Sequence, residues 1–284
     1  MKEQDRPFKN MKRLQCGILE NKKIAQGFYK MRVRSLYLAK NSKPGQFIEV
    51  QCSDGIEPLL RRPFGVHRIL KNGIEMLYEV VGKGTAMLSE KKAGEEIDLI
   101  GPLGNGFMLN EKTKKRKNEK TILVAGGIGI APLLALAERL AYSKKQKIHV
   151  FIGAKTKEHI ICSEDFKKIG CDVSVSTEDG SRDYKGLVTN LLNKLFDDET
   201  IKPSNDTTIY ACGPVGMLKE VARIARAKEM ACQVSLEERM ACGVGVCLGC
   251  PVKVKTLHVS RTTLHEYKMV CKDGPVFNAE EIAW

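Results

Sequence analysis

The chain has 284 residues, 43% of them hydrophobic, enough to bury more than one core, and it predicts two or three globular domains. Its first stretch, MKEQDRPFKNMKRL, is too polar for a secretory signal, and no run approaches the roughly 20 apolar residues that a membrane-spanning helix needs, so a soluble cytoplasmic protein is expected. The formal net charge of +13 raises nucleic acid as a partner, but the densest basic run, Glu111 to Lys120, carries two acidic residues and no aromatic for base stacking; it reads as a solvated linker, and neither a nucleic-acid nor a membrane partner is expected.

Up to about Asn110 the chain is a succession of short β-like runs, FYKMRVRSLYL, GQFIEVQCS, GIEMLYEVV and EEIDLIG, broken by Gly, Pro and Asn turns, which predicts a sandwich or barrel. Within it lie LLRRPFGV (Leu59 to Val66) and YEVVGKGT (Tyr78 to Thr85). Arg62 is suited to pair with a phosphate or lie along a ring system, and the turn from Gly82 to Thr85 offers backbone N–H groups and a hydroxyl to phosphate oxygens. An exposed arginine before a proline and an ordinary hairpin turn are the alternatives for these two segments.

From Thr121 the pattern changes. TILVAGG reads as a buried strand and PLLALAERLAY as a helix with Pro132 in its first turn, where a missing N–H is tolerated. KIHVFIGA, CDVSVSTED and TTIYACG follow as strands, alternating with the helical segments LVTNLLNKLF and VGMLKEVARIARAKEM; the alternation predicts a parallel sheet with helices on both faces. VAGGIGIAP, Val124 to Pro132, joins a strand to a helix N-terminus, a place for a pyrophosphate, although it departs from G-x-G-x-x-G and a structural Gly-rich turn stays open. Cys212, Gly213 and Pro214 end the strand TTIYA at the edge where open α/β sheets bind ligands.

A third, Gly- and Cys-rich module begins near Ala231. Its C-x4-C-x2-C run, Cys242, Cys247 and Cys250, is followed after twenty residues by Cys271, the spacing of plant-type 2Fe-2S clusters; four thiolates also suit zinc, but zinc sites usually pair two C-x2-C knuckles and only one is present. Gly243, Gly245 and Gly249 allow the tight loop such a cluster needs. Cys16, Cys52, Cys162, Cys171 and Cys232 read as packing residues. His67, His149, His159, His258 and His265 form no close pair at metal-ligand spacing, and no nucleophile–base pairing stands out, so no catalytic side chain is assigned.

Taken together, PGQF (Pro44 to Phe47), Arg62 to Gly65, GPLG (Gly101 to Gly104), GGIGIAP and CGP resemble, in order and content, the ferredoxin-NADP reductase superfamily. With SLEERMACGVGVCLGC and VCKDGPVF, nearly the whole chain resembles its branch of dihydroorotate dehydrogenase B electron-transfer subunits. That resemblance implies an antiparallel FAD-binding β-barrel at 1–112, a parallel α/β NAD-binding domain at 113–230 and a 2Fe-2S module at 231–284. It implies that Arg62, Pro63, Phe64 and Gly65, with Leu77, Tyr78 and Glu79, contact FAD, that Gly84 and Thr85 receive its phosphates, and that Gly127, Gly129, Ala131 and Pro132 face the nicotinamide nucleotide, with Cys212, Gly213 and Pro214 near its reactive ring.

It implies further a heterotetramer with an FMN-containing dihydroorotate dehydrogenase catalytic subunit in pyrimidine (UMP) biosynthesis, electrons passing between that FMN subunit, the cluster, FAD and NAD. Related FAD/2Fe-2S subunits of a sulfide dehydrogenase, a ferredoxin-NADP transhydrogenase or a sulfite reductase are the alternative; a redox-inactive zinc-bearing regulator is a more distant one. The chain departs from the family pattern in three places: Gly65 stands where serine is frequent, Glu79 where arginine is expected, and the Cys250 to Cys271 insert is long and predicts an extended hairpin. Lys155 and Lys157 after the second strand of the α/β domain suit a 2'-phosphate, but the resemblance favours NAD.

Overall fold

The computed structural model describes residues 10–109, 120–143, 147–202, 204, 206–255 and 266–284. They form two compact units, one built from the chain up to Gly106 together with Leu236–Trp284, the other from Phe107–Ser235. Most of the basic run from 111 to 120, and His258 and His265, lie outside the described residues. Among the described residues no helix is long and apolar enough to cross a membrane, which leaves strand-built spans unaddressed.

The first unit is a closed six-stranded barrel. Strands β1 (Lys12–Ala25), β2 (Phe28–Arg34), β3 (Phe47–Val50), β4 (Arg62–Leu70), β5 (Gly73–Glu79) and β6 (Glu96–Leu103) run in the order β1-β2-β5-β4-β3-β6, every pair antiparallel. Alternating residues such as Met31, Val33, Ile48, Val50, Ile74, Met76 and Leu99 fill its interior. The run FYKMRVRSLYL proves to be two elements. β2 stops at Arg34, and Ser35 caps helix α1 (Leu36–Asn41), its hydroxyl accepting from the Leu38 N–H at 3.2 Å. The segment around Gly82 is likewise no hairpin turn: it opens helix α2 (Lys83–Glu90).

The second unit is a parallel sheet. Strands β7 (Lys120–Gly126), β8 (Ile148–Ala154), β9 (Asp172–Thr177), β10 (Tyr184–Lys185), β11 (Thr207–Cys212) and β12 (Ala231–Ser235) order as β10-β9-β8-β7-β11-β12. Its central strands are buried almost end to end, as parallel strands between helices must be. Helices α3 (Ala131–Ser143), α4 (Ser163–Lys168), α5 (Val188–Asp197) and α6 (Val215–Ala227) complete it.

The C-terminal segment belongs to the barrel unit. A hairpin of β13 (Pro251–Val254) and β14 (Glu266–Met269) leads to the single turn α7 (Val270–Asp273) and strand β15 (Val276–Asn278). The two paired strands fit the expected extended hairpin; residues 256–265 of the insert lie outside the described residues. Asn105, just past β6, ties this segment down: its N–H donates to Gly274 O at 2.5 Å and its side-chain amide to Asp273 O at 2.9 Å.

Charge fixes the approach to β4. Asp98, buried on β6, accepts from Arg13 Nε and Nη2 at 2.8 and 2.6 Å, and its second oxygen lies 2.7 Å from Arg61 Nη2. Burial alone would raise its pKa, but the hydrogen bonds and charges of the two arginines prevail and hold it below the usual carboxylate range. A depressed folded-state pKa means stability present above the unfolded value of about 3.9 and lost as pH falls through the folded value. Asp98→Asn, leaving the half-buried Arg61 without its counter-charge, is expected to cost about 1–3 kcal/mol at pH 7 in urea unfolding followed by circular dichroism. The gap should close below about pH 4; a gap independent of pH would contradict the assignment.

Candidate functional site

The hairpin and α7 bring the four module cysteines together. Pairing of Pro251 with Met269 sets the residues just beyond it side by side, so that Val270 N donates to Cys250 O at 2.9 Å and Cys271 N to Cys250 Sγ at 3.4 Å. The loop from Cys242 supplies the other contacts: Val244 N and Cys247 N each donate to Cys242 Sγ at 3.4 Å, and Gly245 N to Cys271 Sγ at 3.1 Å. Cys250 and Cys271 are buried, Cys242 half-buried and Cys247 exposed. Gly245 is required here, because it has a φ of +75° and a Cβ would sit 2.8 Å from Lys272 Cδ.

The electrostatics suit a cationic occupant. Burial opposes ionisation of Cys242, but N–H donors from Cys247 and Val244 outweigh it and lower its pKa to about 6. Cys271 is pushed up to about 12, first by burial and then by the adjacent Cys250 thiol. Four ionised thiols at this spacing repel one another unless positive charge lies among them, and amide N–H groups aimed at sulfur are how iron–sulfur sites are tuned. The residues therefore fit the cluster.

On the barrel, the residues expected near flavin divide. Phe64 and Tyr78 sit in the interior, ring centroids 5.6 Å apart and edge-on, with Tyr78 also stacked on Tyr29 and donating to Asn21 Oδ1 at 2.9 Å. Leu77 is buried from the other face of β5. Pro63, Gly65 and Glu79 are half-buried on the outside, where a ligand along β4 and β5 would meet them, while Arg62, also half-buried, opens β4 opposite the core residue Val50. Gly84 lies against Arg62: a Cβ there would be 3.4 Å from Arg62 Nε and from Cys52 Sγ. The first turn of α2, with its free N–H groups, thus faces a guanidinium, an arrangement that fits a pyrophosphate. The Thr85 hydroxyl is already engaged, accepting from Val81 N at 3.0 Å and Gly82 N at 3.2 Å and donating to Gly82 O at 3.1 Å. These bonds shape the turn that presents the α2 N–H groups.

In the α/β unit, Gly127 and Gly129 form a 3-10 turn between β7 and α3, followed by Ala131 and Pro132 in the first turn of the helix. A Cβ at Gly129 would be 2.3 Å from Cys212 O, and one at Gly126 would be 2.8 Å from Pro214 Cδ. The two motifs that the sequence separates by some eighty residues therefore meet at the C-terminal edge of the adjacent strands β7 and β11. Cys212 is buried there.

Two residues escaped sequence reasoning. Arg61 looks equivalent to Arg62, yet it turns away to Asp98 and Gln51. Glu49 lies between Ile48 and Val50 and reads as a solvated barrel position; in the fold it is 1% exposed, with neither carboxyl oxygen hydrogen-bonded. Burial pushes its pKa to about 8 against the pull of Arg61 and Arg62. Nothing in the local sequence signals this covering. For the cysteine loop, Cys250→Ser and Cys271→Ser are each expected to abolish iron retention and visible cluster absorbance while flavin binding persists; Gly245→Ala should lower iron content several-fold. Full iron content in either serine variant would remove that cysteine from the ligand set.

Two family models match the chain: the iron–sulfur cluster binding domain of dihydroorotate dehydrogenase B over residues 237–283, and the oxidoreductase NAD-binding domain over 123–223. The dihydroorotate dehydrogenase B (NAD(+)) electron transfer subunit of Caldanaerobacter subterraneus subsp. tengcongensis is 38% identical over 95% of this chain and 98% of its own length. The same subunit of Bacillus cereus is 37% identical over 93% and 96%. Among solved structures, an NADH-dependent reduced ferredoxin-NADP oxidoreductase, studied for flavin-based electron bifurcation, superposes with a TM-score of 0.78 at 32% identity, covering 95% of this chain and 90% of that one. A Neisseria gonorrhoeae ferredoxin NADP+ reductase with bound FAD and NADP, at a TM-score of 0.65 and 16% identity over 79% of this chain and 99% of that one, shares the fold. The chain belongs to the family of dihydroorotate dehydrogenase B electron transfer subunits.

Proposed function

We propose that this chain is an electron-transfer subunit working with NAD, FAD and a 2Fe-2S cluster beside an FMN-containing dihydroorotate dehydrogenase catalytic subunit, as a heterotetramer in pyrimidine biosynthesis. The observation that carries this reading is the convergence of Cys242, Cys247, Cys250 and Cys271, with backbone N–H groups directed at the sulfurs of Cys242, Cys250 and Cys271. When bound, FAD exchanges a hydride with NAD and single electrons with the cluster; the protein supplies position and electrostatics.

Each site has residues suited to that work. Arg62 and the first turn of α2 would hold the FAD pyrophosphate, and Pro63 and Gly65 on the outer side of β4 would lie along the flavin beside Leu77 and Glu79 of β5, with Phe64 and Tyr78 packed behind them in the barrel. The turn from Gly127 to Pro132 and the segment Cys212 to Pro214 would hold the nicotinamide nucleotide. The four cysteines would ligate the cluster, with Cys247 toward solvent and Cys250 and Cys271 in the protein.

A second reading is favoured by one observation, the likeness of nearly the whole chain to the ferredoxin-NADP oxidoreductase: a subunit of a ferredoxin-NADP transhydrogenase. Anaerobic purification with the native partner separates the two. An FMN protein is expected, with dihydroorotate-dependent NADH formation by the complex and none by this chain alone, which should still reduce dyes with NADH. A large iron–sulfur partner, or a strong NADPH preference in kcat/KM, would favour the second reading; dihydroorotate oxidation by the isolated chain would overturn the first.

A further inference from the structure

Glu49 occupies a position that elementary energetics disfavours. Strand alternation places Ile48 and Val50 in the barrel core and so Glu49 on the outer face, where a carboxylate would ordinarily be hydrated. It is instead 1% exposed and neither oxygen has a hydrogen-bond partner among the described residues. Burying such a group without partners is unfavourable even when it is neutral.

What covers it is the cysteine loop. A Cβ on Gly243 would lie 2.7 Å from Glu49 Cγ and 3.0 Å from Oε1, so the carboxyl arm lies directly against the Gly243 backbone, which has a φ of +68°. On the other side Glu49 pairs in register with Pro63 of β4, and Arg61 and Arg62 both act on its charge, as does Cys242. One side chain thus touches both the strand expected to carry flavin and the loop that begins at Cys242. The donors to sulfur, Val244 N, Gly245 N and Cys247 N, follow within four residues of the contact.

We infer that Glu49 is a positioning residue for the iron–sulfur centre: its side chain braces Gly243 from the barrel and thereby fixes the N–H groups that set the cluster's reduction potential relative to the flavin. Removing the brace lets a glycine-rich loop relax away from its sulfurs. N–H donors stabilise the more negative, reduced state, so slackening them lowers the potential. The role depends on the shape and volume of the side chain, which glutamine reproduces and alanine does not.

The inference rests on the cluster assignment, which the iron and sulfide content of the unmodified protein tests separately; absence of iron there would sink both. In the full-length, flavin-loaded protein, Glu49→Ala is expected to keep its iron and its thermal midpoint within a few degrees. Its reduced-state EPR signal should shift, and electrons should partition about ten-fold further toward the flavin, a change of about 59 mV in a one-electron couple. Glu49→Gln should restore both the signal and the partition. Gly243→Ala, which pushes a methyl group into the same contact, should perturb the signal less in the Glu49→Ala background than alone, a non-additivity expected only of touching residues. An unchanged signal and potential in Glu49→Ala would overturn the inference. So would equal shifts in the alanine and glutamine variants, which would point to charge instead of bracing, or parallel loss of flavin, iron and thermal stability, which would point to the fold at large.

Discussion

Four thiols gathered by one loop and one hairpin cannot all ionise in the same small volume without positive charge between them. Cys242 is drawn toward the thiolate by the N–H groups of Val244 and Cys247, while Cys271, buried beside Cys250, is driven the other way. This opposition makes the C-terminal segment a receptor for metal, since a cationic centre relieves the repulsion that the peptide alone cannot. It also explains the backbone around it. Gly243 and Gly245 take positive φ so that successive N–H groups turn inward, and no side chain at Gly245 would clear Lys272.

The barrel supplies the rigidity that the loop lacks. Among the described residues the cysteine loop has no regular secondary structure between Leu236 and Gly249, so its shape depends on what lies under it. β3 lies under it, held on one side by β4 and on the other by β6. The same strand pairing sets Arg61 and Arg62 to opposite tasks, one locked to Asp98 and the other left beside the first turn of α2. A closed sheet is stiff because each strand has two neighbours, and a stiff platform is what electron-transfer centres need if small displacements are not to alter their potentials.

Much of this was legible in the residues because the signals were periodic or chemically unusual. The parallel sheet announced itself through TILVAGG and TTIYACG, continuous apolar runs followed by helical periodicity, and the cysteine spacing admitted few readings. What escaped was set by tertiary contact. FYKMRVRSLYL carries β-forming residues throughout, yet Ser35 captures the Leu38 N–H and starts a helix. Phe64 and Tyr78, grouped by resemblance with the flavin contacts, point into the barrel because strand alternation sends every second residue inward. Glu49 is charged among apolar neighbours, and only the arrival of a segment almost two hundred residues later buries it.

The nucleotide edge shows how one residue type can satisfy two demands. Gly129 is needed because Cys212 O approaches to where a Cβ would be, and Gly126 packs likewise on Pro214, so these two glycines are explained by the packing of one strand end on another without reference to phosphate, while Gly127 answers to its φ of +54°. Hence the departure from G-x-G-x-x-G, whose spacing answers a different contact. The choice of cofactor rests on the loops after β8 and β9. Lys155 and Lys157 are exposed there, but Glu158 is held low by the Thr156 hydroxyl and Asp179 by Ser181, and both stay anionic at neutral pH. Fixed carboxylates suit a free ribose hydroxyl and repel a 2'-phosphate. Lysines on flexible stems can swing toward solvent, whereas these carboxylates are tied to their own loops; the exposed groups alone do not select between a free ribose and a 2'-phosphate, because the edge carries both signs of charge.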